Sequence, residues 1–257
     1  MKYEIKIRPR LNDYNRNGRI SMEGILHMIG TAGQHHSDSV KDGVVEGSLA
    51  GIAWILTEWN IKILKRPEND EEYKVATWAR SQRAGVPTSI VARDFVMRDE
   101  RGGECVLASS KFVLMNLDTG KLARITPEMM KVYRPEETAV MQTPAGKLRM
   151  PEKCDSEVHI PKLREDIDFN GHVHNSRYIA YALEALPHDV YLEDNISSVR
   201  IEYRNPVLEN DVIRAKVVRI TDAGCTNGGD CSYLVGIYNQ DEKMCSIIKI
   251  GLDKNTR

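Results

Sequence analysis

The chain has 257 residues, 41% of them apolar, with acidic and basic side chains finely mixed and a formal net charge of −1. That length suits one large domain or two ordinary ones, and the composition suits a globular protein with a real core. Near-neutral charge argues against nucleic acid as the main partner, and no apolar run approaches the roughly 20 residues a membrane helix needs.

The amino terminus, "MKYEIKIRPR", alternates charged with apolar residues and lacks the apolar core of a signal peptide. Next, Asp13-x-Asn15-x-Asn17-Gly18 precedes a helical pattern in which Met22, Ile25, Leu26, Ile29, Ala32 and Gly33 share a face, with Ser21 as N-cap. Strand patterns follow: "GIAWILTEWNIKILKRP", "EYKVATWA", "TSIVARDFVMRD" and "ECVLASSKFVLMNL", the last two joined by the turn "ERGG". The stretch Pro127–Pro151, with further prolines at 135 and 144, reads as a short helix and a linker.

The order of signals then repeats. Asp166-x-Asp168-x-Asn170-Gly171 precedes the apolar face Tyr178, Ile179, Ala182, Leu183 and Leu186, with Asn175 or Ser176 as cap and Pro187 closing the run. "SSVRIEYRNP", "DVIRAKVVRIT", "CSYLVGIYNQ" and "MCSIIKIGL" follow as strands. One helix and about four antiparallel strands, twice over, predict two related α+β units. The boundaries expected are 1–134 for the first unit, 135–152 for the linker and 153–257 for the second.

The two echoing loops carry the chemistry that can be read from residues. Each supplies oxygen ligands at positions 1, 3 and 5 of a calcium loop and glycine at 6, but position 12 is Gly24 in one and Arg177 in the other. A calcium loop needs a bidentate glutamate there, so the calcium reading is set aside. A turn that caps the following helix accounts for the first loop. The second loop adds Asp168 where the first has Asn15, and His172 where it has Arg19. A carboxylate and a neutral imidazole can share a water while an amide orients it, and alternate positions put all three on one side of an extended segment. Turn-and-cap and catalysis both remain open on the residues alone.

"DIDFNGHVHNSRYIAYALEALP" followed by "SSVRIEYRNPVLENDVI" resembles the second half of bacterial and plant acyl-ACP thioesterases, with their D-x-N-x-H-V-N-N-x-x-Y-I element. "GIAWILTEWNIKILKRP", "YKVATWA" and "ARDFVMRDERGG" resemble that family's first half in order. The resemblance implies a tandem hot-dog, each unit an antiparallel sheet wrapped around a central helix. It implies Asp168, Asn170 and His172 as catalytic, and Tyr178 and Asn175 as substrate contacts. Two departures stand out: His174 replaces the first Asn of the N-N pair, and Pro206-Val207 stand where plant members carry Glu-Cys. A cysteine nucleophile is impossible there, and a second carboxylate would have to come from Glu202 or Glu209.

The resulting expectation is a cytoplasmic thioesterase, monomer or homodimer, that releases fatty acid from acyl carrier protein without cofactor or metal. An acyl-CoA thioesterase and a non-catalytic acyl-binding module are the alternatives. An acidic carrier would dock on Lys62, Lys65 and Arg66, or on Arg200, Arg204 and Arg214. Elsewhere, no G-x-S-x-G elbow is present, and adjacent His35 and His36 are expected at a surface or groove. Trp54, Trp59 and Trp78 are expected in the core. Cys105, Cys154, Cys225, Cys231 and Cys245 lack metal-ligand spacing and read as reduced thiols, with Cys225 and Cys231 flanking a glycine-rich turn.

Overall fold

The computed structural model describes residues 1–42, 51–68, 72–81, 89–221 and 231–253. Backbone contacts divide the chain into two units, Met1–Pro144 and Ala145–Arg257, each built from the same parts in the same order.

The first unit opens with strand β1 (Tyr3–Ile7) and helix α1 (Met22–Val40), followed by β2 (Ile52–Ile63), β3 (Tyr73–Ala79), β4 (Ile90–Arg98) and β5 (Glu104–Asn116). A two-residue strand β6 (Lys121–Leu122) and a short helix α2 (Pro127–Lys131) complete it. The sheet order is β1-β3-β4-β5-β2, antiparallel throughout, with β6 added to β5. Ser21 caps α1 by accepting the Gly24 N–H at 2.9 Å, and the apolar face read from the sequence is the buried one. That face packs on β1 and β3. Gly24 is required by closeness: a Cβ there would lie 2.6 Å from the Asp13 carbonyl oxygen, so the loop before the helix can lie against it only at glycine.

The second unit has β7 (Ser156–Ile160), α3 (Arg177–Glu184), α4 (His188–Glu193), β8 (Ile196–Tyr203), β9 (Ile213–Thr221), β10 (Cys231–Tyr238) and β11 (Met244–Leu252). Its antiparallel order, β8-β11-β10-β9-β7, is the first unit's order in its own strands. The repeat extends to single hydrogen bonds. Asp99 Oδ1 accepts the N–H of Arg101 and Gly103 in the β4–β5 turn, and Asn239 Oδ1 accepts those of Asp241 and Lys243 in the β10–β11 turn. Cys105 and Cys245 carbonyls each accept two N–H groups just past β2 and β8, from Leu64 and Lys65 and from Arg204 and Asn205. This is the tandem hot-dog expected.

Two details differ from the sequence reading. Each unit has a further strand of five residues, β1 or β7, at the end of the order away from β2 or β8. The second helix is also shorter than its apolar pattern: α3 stops at Glu184, and Pro187, which has no N–H to continue it, opens the separate α4.

Candidate active site

The second unit's loop begins in a 3-10 turn, Arg164–Asp166, and closes on itself before α3. Ile167 and Val173 form an antiparallel bridge. Between them the Asp168 N–H donates to the His172 carbonyl at 2.7 Å, and the Gly171 N–H to the Asp168 carbonyl at 3.0 Å. Gly171 sits at φ 76°, where glycine carries no steric cost. Asp168 Oδ1 accepts the backbone N–H of Asn170 at 2.8 Å and of His172 at 3.1 Å, which fixes the carboxylate over the turn.

The segment is therefore a tight turn rather than the extended stretch in which alternation would align three side chains. Asp168 and His172 are half-buried and Asn170 is exposed. Among the described residues, no hydrogen bond links the His172 ring to the Asp168 carboxylate, and Asp168 Oδ2 accepts none. An anchored carboxylate with one oxygen uncommitted, four residues from an imidazole, can take a proton from water.

The first loop is the same turn with different groups. Asn15 Oδ1 accepts the N–H of Asn17 and Arg19, both at 3.0 Å, and the Asn15 N–H donates to the Arg19 carbonyl at 2.8 Å. An amide and a guanidinium here replace an acid and an imidazole. The backbone and one side-chain oxygen, Asn15 Oδ1 or Asp168 Oδ1, fix both turns alike; the remaining side-chain groups separate them.

Beneath the second loop lies a buried acid that sequence reasoning used only as the loop's first position. Asp166 is 0% exposed. Arg177 Nε lies 2.7 Å from its Oδ1, while its Oδ2 accepts from the Tyr181 hydroxyl at 2.6 Å and the Leu163 N–H at 2.9 Å. Burial, and then this carboxylate, push the Tyr181 hydroxyl's pKa well up from its usual value. The Asp166 carbonyl accepts the His174 N–H at 2.9 Å, so this one residue ties α3 to the loop. Asp13 holds the equivalent place, 5% exposed, with its Oδ2 on the Arg10 N–H at 2.7 Å. That echo is the signal by which Asp166 could have been found.

Tyr178 and Asn175, the expected substrate contacts, each take part in a hydrogen bond beside the loop. Tyr178 is 2% exposed, and its hydroxyl accepts the Val207 N–H at 3.0 Å; burial raises its pKa. The Val207 carbonyl accepts the Val173 N–H at 2.9 Å, and Leu208 forms an isolated bridge with His172. Tyr178 thus holds the segment after β8 against the loop. Asn175 is exposed, and its backbone carbonyl accepts the Tyr203 hydroxyl at 2.8 Å.

Glu202 is engaged within the protein. It is 7% exposed and committed to the Leu148 N–H, Arg200 and Arg204 at 2.7, 2.8 and 3.3 Å. Glu209 is exposed.

His35 is exposed, but His36 is 0% exposed, which corrects the expectation of a surface or groove pair. Adjacent helix positions point about 100° apart, so one imidazole faces out and the next faces the sheet. Trp59 and Trp78 are core residues, and Trp54, half-buried, donates its Nε1–H to Asp42 at 2.8 Å. Cys105, Cys231 and Cys245 are buried cysteines and Cys154 is an exposed one; Cys225 lies outside the described residues. Burial pushes the Cys245 thiol's pKa up to about 11.

Comparison with known proteins assigns this architecture. Residues 1–133 match the acyl-ACP thioesterase N-terminal domain, and residues 151–250 match the C-terminal domain of that family. An oleoyl-acyl carrier protein thioesterase of Arabidopsis thaliana is 25% identical over 98% of this chain and 73% of its own length. A dodecanoyl-[acyl-carrier-protein] hydrolase of Umbellularia californica is 24% identical over 86% of this chain and 60% of its own length. Among solved structures, an acyl-ACP thioesterase from Bacteroides thetaiotaomicron shares the fold with a TM-score of 0.81 at 19% identity, covering 98% of both chains. The 12:0-ACP thioesterase from Umbellularia californica does so with a TM-score of 0.83 at 19% identity, over 98% of this chain and 94% of that one. With both domains matched in order around the repeated turn, this chain belongs to the acyl-ACP thioesterase family.

Proposed function

We propose that this protein hydrolyses the thioester of a fatty acyl chain borne on acyl carrier protein, releasing free acid and the carrier thiol, with the turn Asp168–His172 as its one reactive loop. The observation that carries this reading is the contrast between two turns with the same hydrogen bonds, one with Asn15 and Arg19, the other with Asp168 and His172. Asp168, anchored through Oδ1, uses Oδ2 as general base toward a water that attacks the thioester carbonyl. His172 holds that water, and the proton taken by Asp168 passes to the departing thiolate, which leaves as the carrier thiol. Asn170 donates its amide to the carbonyl oxygen as negative charge develops there. Tyr178 and Asn175 position the loop and the helix behind it. The first unit, lacking an acid–imidazole pair in its loop, supplies the acyl cavity.

A second reading, acyl binding without hydrolysis, draws on Pro206 and Val207 and on the commitment of Glu202 to Arg200 and Arg204. One assay separates them. Acyl carrier protein loaded with a series of chain lengths, and the matched acyl-CoA series, are incubated with enzyme and the free acid is measured. Turnover on the carrier series supports the proposal. Turnover on CoA alone transfers the activity to the other carrier, and tight binding without acid release favours the binding module.

A further inference from the structure

The basic residues first expected to receive a carrier are largely occupied within the protein. Lys65 pairs with Asp99 at 3.2 Å, and Arg66 donates to the Met22 sulfur at 3.4 Å. Arg200 and Arg204 pair with Glu202, and Arg214 pairs with Glu157 at 3.1 Å and also with Glu242. A cation already facing a carboxylate offers little to an incoming one.

The first twenty residues are different. They hold Lys2, Lys6, Arg8, Arg10, Arg16 and Arg19 against only Glu4 and Asp13, in a chain whose net charge is −1. Lys2 lies 4.5 Å over the Trp78 ring and Lys6 pairs with Glu72 at 3.0 Å. The other four are all arginine and all exposed, and none pairs with a carboxylate among the described residues. Arginine's planar fork grips carboxylates in two-point fashion, which a solvated lysine does not.

Three of these charges, Lys6, Arg8 and Arg10, border a groove between β1 and α1. Its walls include Ile5, Ile7 and the buried Met28, with exposed Lys6, Arg8 and Arg10 beside them. Residues from both faces of β1 line it, so it runs along that strand's edge, and β1 ends the sheet order of its unit. Asp13, the one acid in the lining, is 5% exposed and held by the Arg10 N–H. The second unit's corresponding segment is not similarly charged: Pro161 and Leu163 stand where the first has Arg8 and Arg10. There Lys162 reaches back to the carbonyls of Leu208 and Glu209. Edge strands also carry charge simply to prevent edge-to-edge pairing, which is the competing explanation.

We propose that the β1–α1 groove, through Arg8 and Arg10, is the docking surface for an acidic, amphipathic protein: its carboxylates meet the arginines and its apolar side meets Ile5 and Ile7. Resting on the reading above, that protein is the acyl carrier.

The test measures binding of a fluorescent carrier bearing a non-hydrolysable amide-linked acyl chain to the full-length protein. An Arg8→Glu/Arg10→Glu double variant is compared with Arg8→Lys/Arg10→Lys and with Arg164→Glu, an exposed cation of the second unit. Charge reversal is expected to weaken binding at low salt by about 10-fold or more, with the difference shrinking at high salt, because reversed charges repel and salt screens them. Arg164→Glu should bind within a few-fold of the parent, and the lysine variant should fall between the parent and the charge reversal, because lysine keeps the charge without the two-point grip. Hydrolysis of a small acyl thioester such as an acyl-N-acetylcysteamine should be unchanged in all variants. Its absence in the parent would count against the hydrolase reading alone. Equal carrier binding by parent and double variant overturns the proposal, and new self-association with unchanged binding would assign the arginines to edge protection. Equal competition by a DNA duplex would reduce the groove to a general polyanion site and also overturn it.

Discussion

Acid should weaken the first unit through one residue, His36. Its ring is fully buried, stacked on Tyr3 with centroids 5.3 Å apart and edge-on to Tyr133 at 5.4 Å, and neither ring nitrogen has a hydrogen-bond partner among the described residues. Burial first, then the Arg93 cation, lower its pKa from 6.5 to about 4. The unfolded chain therefore takes up this proton near pH 6.5 while the native unit refuses it until about pH 4. A lowered histidine pKa means that stability is present above about pH 6.5 and is lost as pH falls between those values. At 1.36 kcal/mol per pKa unit, the loss between pH 7 and pH 4.5 is about 2 kcal/mol. His36→Phe keeps an aromatic ring between the two tyrosines and removes the titration. Trp54, Trp59 and Trp78 are the protein's three tryptophans and all lie in the first unit, so tryptophan fluorescence during urea unfolding reads that unit alone. Stability from pH 7 to pH 4.5 should fall more steeply in the parent than in His36→Phe by about 2 kcal/mol, since carboxylates common to both proteins cancel. At pH 7 the variant should be at least as stable, because two unbonded buried nitrogens are gone. Parallel pH profiles would refute the reasoning.

Two further variants test the scaffold of the loop. Tyr178→Phe removes the acceptor from the buried Val207 N–H, so it should cost about 1–3 kcal/mol in thermal or urea unfolding and lower turnover by less than loss of Asp168 does. A stability unchanged by this substitution would mean that Val207 finds another partner. Arg177→Met leaves the Asp166 carboxylate buried without its cation and should destabilise the second unit by about 3–5 kcal/mol, read as a lowered urea midpoint by circular dichroism. A loss below about 1 kcal/mol would show that Tyr181 and the Leu163 N–H suffice to hold the charge.

Most of the fold was legible because its signals are long. Strands β2 to β5 and β8 to β11 are eight or more residues each, except β3 with seven, and turn residues bound them. β1 and β7 have five residues and one partner strand each, so "YEIKI" and "SEVHI" alternate too briefly to stand out. The end of α3 was hidden because Leu186 keeps the apolar spacing that its backbone has already abandoned. At the site, residue types singled out Asp168, Asn170 and His172 as candidates and offered a turn, but did not decide between that turn and an extended stretch. Alternation assumes extended backbone, and Asp168 capping its own turn defeats it. Asp166 was obscured for a different reason: an aspartate's burial depends on Arg177 and Tyr181 arriving from the following helix. The pairing of His35 and His36 misled because sequence adjacency says nothing of which face a helix shows.

The most direct measurement compares the two loops in one enzyme. Asp168→Asn, His172→Ala, Asn15→Ala and Arg19→Ala are assayed for steady-state hydrolysis of acyl carrier protein thioester, with melting curves for each. Asp168→Asn and His172→Ala should each lower turnover by about 100-fold or more, the usual scale for losing a general acid or base. Both should remain folded. Asn15→Ala and Arg19→Ala should retain turnover within a few-fold and show their effect in stability or chain-length preference. Near-parental turnover in folded Asp168→Asn and His172→Ala would contradict the assignment of chemistry to the second loop, and equal losses from both loops would contradict the asymmetry on which it rests.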